Sequence, residues 1–201
     1  MGALHWRPGE QPFESGGAPE PNSALNEIVV LPTALSAEQC KETVALGEAC
    51  KSMIATVDRG HAVTYRTSTI AWIEPRPPAH WLYHRMAGLF LEANRRYRFD
   101  LVGMADALQY TMYGPEGLFD WHTDLGFGAS SARKLSVSVL LNDETEYEGG
   151  RLEFLNLSSR DEALRAGTAI FFPAYMVHRV SAITRGTRRS LVAWGYGPPF
   201  R

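Results

Sequence analysis

The stretch YGPEGLFDWHTD, residues 113–124, decides how this chain is interpreted, because it contains a His-x-Asp pair at His122 and Asp124. On a β-strand, residues two apart point to the same face, so the imidazole and the carboxylate can converge on one point. A second imidazole, His178, follows later in the chain. Two histidines and one carboxylate are the set that binds Fe(II) and leaves other coordination positions open. The pair alone is a weak signal, and an ordinary surface or core histidine is the alternative.

The segment after His178 adds a candidate anion site. It reads HRVSAITRGTRRSLVAW, residues 178–194, which is typical of a strand, a turn and a second strand. Strand alternation places Arg188, Ser190 and Trp194 on one face. A guanidinium buried on that face needs an anion, and its planar fork matches a carboxylate, with the Ser190 hydroxyl as a further donor. The alternative is one more exposed arginine in an arginine-rich turn.

These residues in this order resemble the Fe(II)/2-oxoglutarate-dependent dioxygenases: His122-x-Asp124, then His178, then Arg188-x-Ser190. The stretches EGGRLEF at 148–154 and FP at 172–173 resemble the prolyl 4-hydroxylase-like branch of that family. The resemblance covers roughly residues 105–196. It implies that His122, Asp124 and His178 hold Fe(II) inside a double-stranded β-helix, also called a jelly-roll barrel.

The resemblance also implies a co-substrate site and a reaction. 2-Oxoglutarate would chelate the iron through its keto-acid end, and its far carboxylate would meet Arg188 and Ser190. Tyr113 matches a tyrosine that reaches toward the co-substrate in relatives, although a packed core tyrosine is the alternative. The implied enzyme is a dioxygenase that uses O2 to hydroxylate an unactivated C–H bond and releases succinate and CO2, with ascorbate as a candidate reductant. The carboxylate of Asp124 favours hydroxylation over halogenation, while desaturation and other oxidative outcomes stay open.

Four side chains are expected in the substrate pocket: Gln109, Thr111, Phe127 and Trp194. Alternation along the strand puts the first two on the face of Tyr113. Phe127 belongs to the Gly- and Ser-rich loop that follows His122 and Asp124. Loops at the mouth of a barrel commonly set substrate specificity. Trp194 lies on the Arg188 face and is equally consistent with plain core.

The chain divides at the sequence level into an arm and a domain. Residues 1–24 are rich in Pro and Gly and predict a flexible arm, and residues 25–201 predict one domain with a barrel core at about 105–196. The capping-box pattern Ser36-Ala-Glu-Gln39 predicts a helix to about Lys51, with Met53 among its apolar positions.

Later elements complete an α+β prediction. Residues 62–74 predict one or two strands, and His80 to Arg98 predicts a second helix with one apolar face. Short β-rich segments with turn residues between them follow, at about 105–113, 119–123, 134–141, 151–157, 167–172, 178–184 and 189–196. This pattern predicts a jelly-roll barrel buttressed by two N-terminal helices.

Composition limits the partners. The 201 residues carry a formal net charge of −2 and 45% hydrophobic residues, which is typical of a soluble globular protein and predicts no nucleic-acid partner. No apolar run reaches the roughly 20 residues needed to span a bilayer, and no signal-peptide pattern is present, so we expect no membrane partner and a cytoplasmic location. Cys40 and Cys50 fall on one predicted helix, about 15 Å apart, too far for a disulfide.

The sequence leaves the substrate open between an amino-acid-like small molecule and a peptidyl or protein side chain. Two other functions stay as alternatives: a jelly-roll metalloprotein that does not use 2-oxoglutarate, and a non-catalytic binding or sensor module on the same fold. Neither the regiochemistry nor the oligomeric state can be predicted from this sequence.

Overall fold

The computed structural model describes residues 21–55, 65–158 and 163–199. Within them lie two α-helices, α1 (Ala37–Ala49) and α2 (His80–Tyr97). Twelve strands accompany them: β1 (Val29–Leu31), β2 (Ser52–Ala55), β3 (Arg66–Ile73), β4 (Leu108–Tyr113), β5 (Leu118–His122), β6 (Arg133–Leu140), β7 (Glu148–Gly149), β8 (Leu152–Phe154), β9 (Ala169–Pro173), β10 (His178–Val180), β11 (Ile183–Arg185) and β12 (Arg188–Tyr196). Short 3₁₀ turns occur at Ser23–Asn26, Gly128–Ala132 and Glu144–Glu146.

The strands form a curled antiparallel sheet. Its larger part follows the order β1-β9-β6-β12-β4-β3, with β2 added along β3. At Arg66 and Thr67, β3 leaves β4 and pairs with β5 instead, and the order then continues through β10 to β8. Strand β3 therefore joins two sheets that enclose one space between them. This is the α+β jelly roll that the sequence predicts.

The two helices cover the outer face of the larger part of the sheet. The buried face of α2 is the predicted one, consisting of Leu82, Met86, Leu89, Phe90, Ala93 and Tyr97. Phe90 meets Phe171 of β9 edge to face at 5.3 Å, and the Tyr97 hydroxyl donates to the Phe171 carbonyl. Each apolar side chain buried in this way contributes about 1.5–3 kcal/mol. None of the described helices is long and apolar enough to cross a membrane.

Helix α1 begins at the predicted capping box, where Ser36 and Gln39 exchange hydrogen bonds between side chain and backbone. It ends at Ala49, and Cys50 is already extended. The prediction that Met53 lies on the helix is wrong: Met53 is in β2 and half its surface is exposed. The helical spacing of apolar residues continues past the helix end, but the edge of β3 takes residues 52–55 as a strand, and a local pattern cannot register that distant partner.

The predicted strand at 178–184 is two strands, β10 and β11. They pair with different partners, β10 with β5 and β8, and β11 with β7. Gly149 of β7 has a φ of +76°, and a Cβ there would lie 1.9 Å from the Ala182 carbonyl oxygen. The close approach of the two backbones at this point separates β11 from β10.

The described part of the predicted arm is short. Residues 1–20 lie outside the described residues, so the flexibility of the arm stays a prediction. Asn22 caps the turn Ser23–Asn26, and its side-chain amide donates to the Tyr97 carbonyl at 2.9 Å. Ala24 is buried in the core beside α2. Residues 22–24 therefore pack against the domain although the prediction assigns them to the arm.

Two glycines in the helices test how α1 packs on the sheet. A Cβ on Gly47 would lie 2.3 Å from Tyr110 Cγ, whereas nothing lies within 4 Å of the same position on Gly88. We expect Gly47→Ala to lower the free energy of unfolding by about 1–3 kcal/mol through overpacking. The matched control Gly88→Ala should raise it by about 0.5–1 kcal/mol, because alanine restricts the unfolded chain. Urea midpoints measure both, and equal shifts would contradict this packing of α1.

The two cysteines differ in burial, and alkylation can measure the difference. Cys40 is 2% exposed, and burial raises its pKa to about 11, while Cys50 is half-buried. Because the thiolate is the nucleophile, we expect iodoacetamide at about pH 8 to label Cys50 and to spare Cys40 in the folded protein. Both should react in urea. Mass spectrometry of tryptic peptides checks this, and labelling of Cys40 at the rate of Cys50 would contradict the buried placement of α1.

Candidate functional site

Two paired strands bring the candidate metal ligands together. His122 ends β5 and His178 begins β10, and the two residues are directly opposite each other in the antiparallel ladder. Asp124 follows β5 by two residues, and its backbone N–H donates to the Ala174 carbonyl at 2.9 Å. One ligand atom from each side chain lies within 4.8 Å of the others. Asp124 carboxylate oxygens are 3.9 Å from His122 Nε2 and 3.8 Å from His178 Nε2.

The backbone fixes how each imidazole is oriented. His122 Nδ1 lies 2.7 Å from the Asp120 carbonyl oxygen, and His178 Nδ1 lies 2.9 Å from the Met176 carbonyl oxygen. A carbonyl only accepts, so each neutral ring carries its proton on Nδ1. Both Nε2 lone pairs are then left for a metal, which is the arrangement that outer-shell partners impose on metal-binding histidines.

The charge states suit a cation between the three side chains. Burial and the charge of His178 lower the pKa of His122 to about 4, so this imidazole is neutral at neutral pH. Burial alone would raise the pKa of Asp124, but the charges of His178 and His122 outweigh it and the pKa falls below its ordinary value. The site therefore offers a neutral His122 imidazole and an ionised carboxylate to a cation.

Aromatic rings surround the ligands. Phe119 stacks on His122 with 3.5 Å between ring centres, and Phe172 lies 4.6 Å from the His178 ring. The Ser136 hydroxyl and the Trp194 indole N–H are buried without a hydrogen-bond partner among the described residues. Phe119 and Phe172 give the site an apolar wall, and such a wall strengthens the electrostatic interactions inside the site.

Arg188 is a buried cation that no described carboxylate neutralises. It is 1% exposed, at the start of β12. Its Nη1 donates to Ser190 Oγ at 2.8 Å and its Nη2 to Ser138 Oγ at 3.3 Å, while Nε has no partner. Burying a lone charge is costly, so this guanidinium requires an anion from outside the described residues.

Tyr113 stands directly opposite Arg188 in the β4–β12 ladder. The Arg188 guanidinium carbon is 5.6 Å from the Tyr113 ring centre. Tyr113 is 4% exposed, and burial raises the pKa of its hydroxyl. The hydroxyl is therefore protonated at neutral pH and able to donate a hydrogen bond.

One cavity of about 390 Å³ contains all these groups. Six of the predicted site residues line it: His122, Asp124, His178, Arg188, Ser190 and Tyr113. Of the four predicted pocket residues, Gln109 and Trp194 line it too.

The other two predicted pocket residues do not line this cavity. The Thr111 side chain is fully buried in the sheet, where it accepts a hydrogen bond from Gln109 Nε2 at 2.9 Å. Phe127 is 101% exposed and points to solvent. Alternation gives the correct face for Thr111, but its short side chain lies beneath Gln109. The position of Phe127 depends on loop geometry, which the sequence pattern does not determine.

Among the cavity residues that sequence reasoning missed are Arg66, Arg133 and Ser138. The sequence contains a signal for two of these residues, Arg66 and Ser138. Arg66 begins an alternating face that continues through Ile70 and Trp72 into the same cavity. Ser138 stands between the buried apolar residues Val137 and Val139 of β6. Whether these faces of β3 and β6 point into the cavity depends on which strands pair, and the sequence alone does not show that pairing.

The donor set and the orphaned cation fit a bound metal and a dicarboxylate. Two imidazoles and one carboxylate on one side suit Fe(II) and leave positions open toward the cavity. Arg188, with Ser190 and Tyr113 nearby, offers the donors that a carboxylate accepts, and Arg188 Nε is still unpartnered.

Comparisons with known proteins agree with this site. The sequence profile of the 2OG-Fe(II) oxygenase superfamily matches residues 108–196. A PKHD-type hydroxylase from Picosynechococcus is 36% identical over 88 residues, which are 43% of this chain and 40% of that relative. The match thus spans less than half the length of this curated relative.

Two solved structures share the fold. A Pseudomonas putida prolyl-4-hydroxylase superposes with a TM-score of 0.63 at 21% identity, covering 85% of this chain and 92% of the other. A Trichoplax adhaerens prolyl hydroxylase, solved with a peptide fragment of hypoxia inducible factor, gives 0.65 at 15% identity and covers 86% of each chain. The described architecture is therefore that of the double-stranded β-helix oxygenases. Residues 108–196 therefore match the 2OG-Fe(II) oxygenase superfamily, whose cofactors are Fe(II), 2-oxoglutarate and O2, and the fold is similar to that of prolyl-4-hydroxylases.

Proposed function

We propose that the protein is an Fe(II)- and 2-oxoglutarate-dependent hydroxylase. It acts on an unactivated C–H bond of an amino-acid-like small molecule or of a peptidyl or protein side chain, and it releases succinate and CO2. The observation that carries this proposal is Arg188, a buried guanidinium with no described carboxylate partner, in the same cavity as the His122, Asp124 and His178 cluster.

The metal ligands are His122, Asp124 and His178. Bound Fe(II) and 2-oxoglutarate together supply the oxidising power that inserts one atom of O2 into a substrate C–H bond, while the other atom enters succinate. The chain holds both imidazoles by their Nδ1 protons on backbone carbonyls, so the Nε2 atoms need no reorientation to bind. Such preorganisation lowers the cost of assembling the site.

The co-substrate ligands are Arg188, Ser190 and Tyr113. The guanidinium binds the carboxylate of 2-oxoglutarate that does not reach the metal, and the Tyr113 hydroxyl is a further donor. Ser190 and Ser138 hold the guanidinium by two of its nitrogens, so its direction is fixed before the anion arrives. Gln109 and Trp194 then contact the substrate from the same cavity wall.

Two observations support the proposed substrate class. The Trichoplax prolyl hydroxylase was solved in complex with a peptide fragment of hypoxia inducible factor, which supports a peptidyl substrate. The cavity, at about 390 Å³, is near the small end of the usual 300–1,000 Å³ for ligand sites and must hold the co-substrate as well. The reacting group that enters beside 2-oxoglutarate is therefore about the size of one amino acid.

The expected surroundings are a reducing compartment such as the cytoplasm, without a nucleic-acid partner. Two free cysteines, Cys40 and Cys50, support the first expectation, because oxidising compartments favour paired cysteines. The formal net charge of −2 supports the second.

The co-substrate assignment is tested by titrating the apo-protein with Fe(II) and then 2-oxoglutarate without oxygen, following the visible metal-to-ligand charge-transfer band. We expect a band in the wild type. Arg188→Lys should weaken 2-oxoglutarate binding about 10- to 100-fold, because lysine cannot form the bidentate pair. The control is Arg189→Lys, the next residue on the opposite face of β12, which should bind like the wild type.

Other outcomes separate the alternatives. An absent band with iron bound would favour a jelly-roll metalloprotein that does not use 2-oxoglutarate. A band without succinate formation from any candidate substrate would favour a non-catalytic binding or sensor module.

The metal assignment has its own matched pair of aspartates. Asp124→Ala removes one ligand and should weaken Fe(II) binding at least about 100-fold, a larger loss than is usual for outer-shell residues. Asp120→Asn changes a side chain that caps the Trp121 N–H and keeps that acceptor, so iron binding should be unchanged. Anaerobic calorimetry with Fe(II) measures both, and wild-type affinity in Asp124→Ala would disprove the assignment.

A further inference from the structure

Arg66 is a second cation of the cavity that is not neutralised by the described chain. It lies at the start of β3, at the junction where β3 turns from β4 to β5. Its Nε donates to Ser68 Oγ at 2.9 Å, and its guanidinium carbon sits 4.5 Å from the Phe119 ring centre. No described carboxylate lies within 4.0 Å of it, and its two terminal nitrogens form no hydrogen bond with described residues.

The other two arginines of the cavity are already accounted for. Arg133 pairs with Asp106 at 2.6 Å, donates to the Tyr196 hydroxyl, and covers the Trp194 ring at 3.8 Å. Arg188 is assigned to 2-oxoglutarate under the proposed function. Arg66 has neither kind of partner among residues 21–55, 65–158 and 163–199.

Charge balance in the loaded site singles out the same residue. Fe(II) and the 2-oxoglutarate dianion cancel each other, and the histidines are neutral as ligands. Asp124 compensates Arg188, and Asp106 compensates Arg133. One positive charge, that of the half-buried Arg66, then remains uncompensated by the described residues.

Arg66 is also close to the reacting region. The ring of Phe119 contacts both its guanidinium and the His122 imidazole, so a single aromatic ring connects it to a metal ligand. Arg66 and Arg188 both act on the Tyr113 hydroxyl and lower its pKa against the effect of burial. An anion on Arg66 would therefore lie near the co-substrate without displacing it from Arg188.

We propose that Arg66 binds a carboxylate of the substrate, so that the enzyme selects carboxylate-bearing substrates. This inference rests on the proposed function. Ser68 fixes Nε, and Nη1 and Nη2 are left side by side as the fork that meets both oxygens of one carboxylate. A free amino acid derivative and an acidic peptide both carry a carboxylate that Arg66 could bind. The experiment below determines which of these two kinds of molecule is bound.

The test is calorimetric binding to protein loaded with Fe(II) and 2-oxoglutarate in the absence of O2. The probes are matched pairs that differ only in charge. One arm uses a set of N-acetyl amino acids against their carboxamides, and the other uses pentapeptides with Glu or Asp against the same peptides with Gln or Asn. We expect at least one acid to bind about tenfold or more tightly than its amide. The arm of the experiment that shows this preference for the acid identifies the kind of molecule that supplies the carboxylate.

Variants link that preference to Arg66. Arg66→Gln should abolish the difference between acid and amide, and Arg66→Lys, which keeps the charge but not the fork, should reduce it. Both variants should keep the charge-transfer band and bind 2-oxoglutarate within about twofold of wild type, which also shows that they fold. The control Arg76→Gln, an exposed arginine just beyond β3, should keep the full preference.

Two results would overturn the inference. If no acid binds more tightly than its amide while the charge-transfer band forms, Arg66 does not select a carboxylate and the proposed function stands alone. If Arg66→Gln weakens 2-oxoglutarate as strongly as Arg188→Lys does, Arg66 belongs to the co-substrate site. A missing band in the wild type would instead mark failure of the proposed function itself.

Discussion

The antiparallel pairing of β5 with β10 is the interaction on which the site depends. It sets His122 directly opposite His178, and the carbonyls of Asp120 and Met176, each two residues before a histidine, fix both imidazoles by their Nδ1 protons. Because strand alternation is strict, a slip of one residue in this ladder would turn one imidazole out of the cavity. Strand β3 pairs with β5 at Arg66 and Thr67 and thereby connects this ladder to the larger part of the sheet.

Electrostatics in a cavity with aromatic walls explain the rest of the arrangement. The strands place Asp124, Arg188 and Arg66 in one space lined by Phe119 and other aromatic rings, where charges interact strongly and unpaired ones are costly. The protein satisfies part of this requirement with Ser138, Ser190 and Ser68, which hold the guanidinium groups but carry no charge. The groups that stay unpaired suit bound ligands, namely a cation between the histidines and anions at the arginines. The same cavity thereby favours binding of both metal and acid.

Much of the site was accessible from sequence because its residues lie close together in short motifs. His122 and Asp124 are two apart, as are Arg188 and Ser190, and alternation correctly gives their shared faces. The helix start at Ser36 was equally local, because a capping box is complete within four residues. The errors came from distant pairing. Met53 follows the apolar spacing of α1 but pairs with β3, and the apparent single strand at 178–184 divides because β11 finds β7.

The sequence by itself predicted the three candidate metal ligands, a candidate co-substrate arginine and the jelly-roll class, from residue types, strand alternation and the family resemblance. Only the tertiary structure decided which side chains share the cavity. It brought in Arg66 and Ser138, placed Thr111 beneath Gln109 and left Phe127 in solvent. The physical reason is that strand pairing joins segments far apart in the chain, and the free energy of that pairing comes from packing and hydrogen bonds that no local pattern contains.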